Sequence, residues 1–176
     1  MVSFRNPKAY EGYKVEILEV KAAPSKNTIY FKSGVFGENN IYQNYIQFFD
    51  IKFEPVEKET KTEGKAVLDV NGKKYAYGPI QADKSRVKMY CKCQDMAFTF
   101  SYQLFENDSY IGAFKRYKRV PGSTRPPRNP KNVPGFCKHI WSHLKQLEKN
   151  GVLTGVWGSG ITHVKALRKA RIASQG

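Results

Sequence analysis

The sequence predicts an α+β fold with an antiparallel, β-rich body followed by helical segments. Three observations carry this. Alternating apolar and polar residues recur through the first hundred positions. An Asn71-Gly72 pair sits between two such runs. Phe136, Ile140, Leu144 and Leu147 then recur at helical spacing. Period-two patterning marks half-buried strands, and a spacing of three to four residues marks an amphipathic helix. Eleven Tyr and eleven Phe in 176 residues add weight to strands, which accommodate aromatic rings well.

In chain order, Tyr13, Val15 and Ile17 share one face of a first strand over 13–21, with Lys14 and Glu16 opposite. Ala-Pro-Ser-Lys-Asn is a turn, Thr28–Lys32 a short strand, and 33–40 a loop. A long strand is expected over 41–53, with Tyr42, Ile46 and Phe48 on one side. Asn71-Gly72 predicts a tight hairpin, because a type I′ turn needs positive φ at both central residues. A strand is expected over Arg86–Cys93. A further one is expected over Met96–Phe105, where Phe98, Phe100, Tyr102 and Leu104 share parity. Five prolines between Tyr117 and Gly135 exclude both helix and central strand there and imply an extended surface arm. A helix follows over 136–149, with Gly151 at its natural stop. A second, basic helix is expected within 159–174, carrying Ile161, Val164 and Leu167 on one face.

Charge divides the chain unevenly. Residues 1–108 carry a net +2, and residues 109–176 carry +13 of the total +15. The reading is therefore tripartite: a near-neutral β-rich body (1–108), a basic proline-rich arm (109–135) and a helical basic part (136–176). A basic block of this size points to a polyanionic neighbour, either nucleic acid or an acidic protein surface. The expected contact residues are Arg116, Lys118, Arg119, Arg125, Arg128 and Lys131 in the arm, and Lys165, Arg168, Lys169 and Arg171 in the final helix. No stretch reaches the roughly 18 apolar residues of a membrane span, and the N-terminus lacks a signal-peptide core. The chain reads as made in a cytoplasm, with no membrane partner.

All three cysteines fall in two short units, Cys91-Lys92-Cys93 and Cys137-Lys138-His139. Three thiolates and one imidazole are a donor set for tetrahedral zinc. Positions i and i+2 of a strand point to one side, so Cys91 and Cys93 can meet one ion. Cys137 and His139 stand at a helix start, where an irregular first turn can aim both inward. His143, one helical turn after His139, is the alternative nitrogen donor. Buried free thiols, or a disulfide from Cys91 or Cys93 to Cys137, are the competing readings. No phosphate loop, nucleophile elbow or HExxH pattern is present, and Gly155–His163 lacks the rest of a nucleotide fingerprint. The expectation is a protein that is not an enzyme.

The C-x-C and C-x-H pairs resemble the SWIM-type zinc finger family. That resemblance implies a β-β-α unit holding structural zinc through Cys91, Cys93, Cys137 and His139, in proteins that bind DNA or other proteins. Forty-three residues, 94 to 136, separate the pairs, so the finger would carry an insertion containing the aromatic segment and the proline-rich arm. In wider layout, the succession EGYKVEI, VKMYCKCQDMAFTFSY and RPPRNPKNVPGFCKHIWSHL resembles small virion structural proteins of tailed bacteriophages. This implies a neck, tail or baseplate component of the virion, made in the host cytoplasm. It would dock on other virion proteins in a symmetric multi-subunit assembly. Sequence-independent nucleic-acid binding is the alternative.

Overall fold

The computed structural model describes residues 13–57, 62–82, 84–115, 121–122, 129 and 135–154. Three long strands open the chain: β1 (Lys14–Ala23), β2 (Thr28–Phe36) and β3 (Ile41–Phe48). The β1–β2 connection is a single 3₁₀ turn, Pro24–Lys26, closed by Asn27 in the left-handed region (φ 52°). Asparagine tolerates that conformation better than most residues. β2 continues to Phe36, beyond the expected short strand, because it is paired on both sides. β3 stops at Phe48, short of the expected Phe53, and Asp50 turns the chain with φ 62°.

A smaller sheet follows, made of β4 (Glu54–Pro55), β5 (Ala66–Val70) and β6 (Lys73–Tyr77) in the order β4-β6-β5. Its hairpin turn is Asn71-Gly72, as the sequence predicts, with φ 55° and 78°. The Gly72 amide donates to Asp69 Oδ1 at 2.9 Å and steadies the turn. β7 (Ile80–Gln81) leads to β8 (Val87–Cys91), which completes a four-stranded antiparallel sheet of order β1-β2-β3-β8.

The expected strand over 96–105 is instead helical. Met96–Phe100 form a π-helical turn that runs into α1 (Ser101–Glu106). Met96, Phe100 and Leu104 are buried, whereas Phe98 is 41% exposed. Their spacing of four fits a helix as well as a period of two fits a strand, and burial follows the helical period. The segment that the β-β-α resemblance would make a second strand is therefore helical.

After residue 135 the chain forms α2 (Lys138–Lys149) and a short strand β9 (Leu153–Thr154) parallel to β7. Gly151 at φ 71° ends α2, and its amide donates to the Glu148 carbonyl at 3.0 Å. Ile140, Leu144 and Leu147 of α2 join Ile29, Phe31, Ile46, Phe48 and Met89 of the sheet in one core. Leu153 closes the same core beside Ile80. The basic arm contacts Arg116, Lys118, Arg119, Arg125, Arg128 and Lys131 lie outside the described residues. So does the expected C-terminal helix with Lys165, Arg168, Lys169 and Arg171.

Candidate metal centre

The four predicted ligands converge. Cys91 is the last residue of β8, and Cys93 lies in the turn that follows it. Cys137 is the N-cap of α2, with extended backbone (φ −77°, ψ 165°), and His139 lies in the first turn. One donor atom from each can be chosen so that all four lie within 4.8 Å of one another. All four side chains are buried, none exposing more than 4%. Cys91 Sγ lies 3.8 Å from His139 Nδ1. Tetrahedral zinc with ordinary bond lengths sets sulfur–nitrogen edges of about 3.6 Å and sulfur–sulfur edges of about 3.8 Å. The cluster thus has the donor set and nearly the dimensions of a closed tetrahedral site. The cysteines carry no disulfide. His143 is not a member of this group.

Local folding explains the placement. The β3–β8 register opposes Cys91 to Asn44, which is itself opposed to Ser33 on β2. That cross-strand row points Cys91 into the face covered by α2. The Met96 amide donates to Cys93 Sγ at 3.3 Å, so the helical turn 96–100 begins on the thiol. Two ligands, Cys93 and Cys137, therefore stand at helix starts, where free amides favour thiolate over thiol. His139 stacks on Tyr42 at 3.9 Å between centroids, and Tyr13 meets it edge-on at 5.8 Å. These rings fix the imidazole in orientation and leave Nδ1 toward the sulfurs. Its Nε2 is buried without a hydrogen-bond partner among the described residues.

The electrostatics of the four side chains are those of a site short of positive charge. Hydrogen bonds from Cys137 and Cys91 hold the Cys93 thiol far below its usual pKa. Its bonds with Cys137 and Cys93, reinforced by burial, push Cys91 strongly up. For Cys137 the bond with Cys91 pulls down, but the bond with Cys93 and burial outweigh it and push the thiol up to about 12. Ionising one thiol therefore disfavours ionisation of its neighbours, because like charges this close repel. A divalent cation removes that constraint and lets all three ionise.

Sequence reasoning missed the two rings that hold His139. Tyr42 was legible as an inward residue from its parity with Ile46 and Phe48, but nothing linked it to His139. Comparison with protein-family models, curated proteins and solved structures yields no match.

Proposed function

We propose that this chain is a non-enzymatic structural component of a tailed-phage particle, held together by one zinc ion on Cys91, Cys93, Cys137 and His139. The convergence of four buried donor atoms carries the zinc part of the reading. Soft thiolates with imidazole favour zinc and disfavour magnesium or calcium. Four protein donors leave no coordination position for water or substrate, so the bound ion is structural. It would join the end of β8 to the start of α2 and so close the loop between Cys93 and Cys137 on itself.

The assembly part rests on the resemblance carried by CKC, RPPRNP and PGFCKH. The 14% aromatic content and the basic, proline-rich sequence of 117–135 also suit docking on neighbouring subunits. In this reading the protein is made in the host cytoplasm and ends in the virion, at the neck, tail or baseplate. Quantitative mass spectrometry of purified particles tests it. A fixed copy number per particle is expected, and absence from the particles would remove the assignment. A second reading is supported by the +13 charge of residues 109–176: sequence-independent nucleic-acid binding through that third. In that case neutralising Lys165, Arg168, Lys169 and Arg171 abolishes oligonucleotide retention.

A further inference from the structure

The four-stranded sheet has two unlike faces. One is covered by α2 and forms the core. The other carries Tyr30 of β2, Tyr45 of β3 and Tyr90 of β8, all half-buried. Their rings form a chain of contacts, 6.1 Å from Tyr30 to Tyr45 and 5.8 Å from Tyr45 to Tyr90. Tyr110 continues it at 5.5 Å, and Phe114 follows Tyr110 at 5.8 Å. An aromatic strip therefore crosses the sheet from β2 past β8. Register sets its centre: Lys32, Tyr45 and Tyr90 are directly opposed on successive strands, with Tyr30 diagonal to Tyr45.

Cations border this strip. Lys32 Nζ lies 6.0 Å from the Tyr45 ring centre. Arg86 and Lys88 lie 4.5 and 6.0 Å from the ring of Phe49, just past the end of β3. Lys88 also pairs with the exposed Asp108. Lys32 and Arg86 have no ion-pair partner among the described residues. The opposite end is different. A groove of about 660 Å³ beside Tyr30 is lined by Glu19, Lys21, Gln47 and Asp69, among others. Glu19 there is paired with Lys21 at 2.7 Å and stands opposite Lys32 across the β1–β2 pair, so the cations free of carboxylates lie toward the Arg86 side.

We propose that this outer face binds single-stranded nucleic acid, with bases packing on the tyrosine strip and phosphates meeting Lys32, Arg86 and Lys88. Aromatic rings beside cations suit that ligand, because every base has a π face and every linkage a negative charge. A duplex keeps its bases stacked on one another and unavailable to the rings. This site is separate from the basic C-terminal third and does not rest on the assembly reading.

Fluorescence anisotropy of a labelled oligo-dT of about 15 nucleotides, with full-length zinc-loaded protein at low salt, is the test. The wild type is expected to bind it and to prefer it over a duplex of equal length. The double change Tyr45→Leu with Tyr90→Leu should weaken binding about tenfold or more. Tyr45→Phe with Tyr90→Phe keeps the rings and should bind as the wild type does, which separates lost stacking from lost folding. Lys32→Gln should weaken binding less and reduce the salt slope by about one unit. No binding at low salt overturns the proposal. Unchanged binding by the leucine variant also overturns it and leaves retention to the basic third. If the leucine variant instead turns an oligomer into a monomer and oligonucleotide binding is unaltered, the face belongs to a second copy of the chain.

Discussion

His143 is fully buried with neither ring nitrogen hydrogen-bonded among the described residues. It sits one turn beyond a metal-ligand candidate yet contributes no donor atom to the cluster. Burial lowers its pKa to about 3, because the low-dielectric interior disfavours the imidazolium. The folded value lies below the unfolded one. Its neutral form therefore supports the fold fully above about pH 6.5, and that support is lost as pH falls toward the folded value. Replacing it by leucine removes both the unmet polar atoms and the proton linkage. His143→Leu should leave the metal content unchanged. From about pH 7.5 to about pH 5, the wild type should lose about 2 kcal/mol more stability than the variant. Equal losses in urea titrations at the two pH values would contradict this placement of His143. The cysteine ligands were legible at this scale because thiols are rare in the chain and all three fall in two short units. The rings of Tyr42 and Tyr13 were not legible, since contacts across strands depend on register that no local pattern fixes.

At the scale of elements, the hairpin at Asn71-Gly72 and the helix α2 were readable from local chemistry alone. Each has a strong punctuation mark, an Asn-Gly pair in one case and Gly151 in the other. The segment 96–106 was not readable. Its apolar residues satisfy a period of two through Phe98, Phe100 and Tyr102, and a period of four through Met96, Phe100 and Leu104. Tertiary context decides between them. Cys93 Sγ accepts the Met96 amide and starts a helical turn, and the core takes Met96 and Phe100. The two periods make opposite claims about Phe98. A strand would bury it with Phe100, whereas the helix leaves it 41% exposed and Phe100 only 5%. Phe100→Ala should then cost about 3–5 kcal/mol, in the range of core aromatic truncations. Phe98→Ala should cost about 1 kcal/mol or less. Similar costs for both in chemical denaturation would argue for the strand.

For the whole molecule, one core joins the sheet, the 96–106 helix and α2, and the candidate metal centre lies where all three meet. Hydrophobic packing already holds the elements together. A metal ion held there would add a cross-link between Cys91-Cys93 and Cys137-His139, which are distant in sequence. Metal affinity at such a site becomes folding free energy, so removing the ion should loosen α2 from the sheet. The overall α+β class was legible from hydrophobic patterning. The open tyrosine face was not, because it exists only once four strands are in register. Elemental analysis of protein purified in reducing, metal-replete buffer, paired with thermal melts before and after chelation, tests the central claim most directly. The account predicts about one zinc per chain, a melting temperature lower by about 10 °C or more after chelation, and loss of the zinc in Cys137→Ser. Less than about a tenth of an equivalent of zinc, with a melt indifferent to chelator, would contradict it.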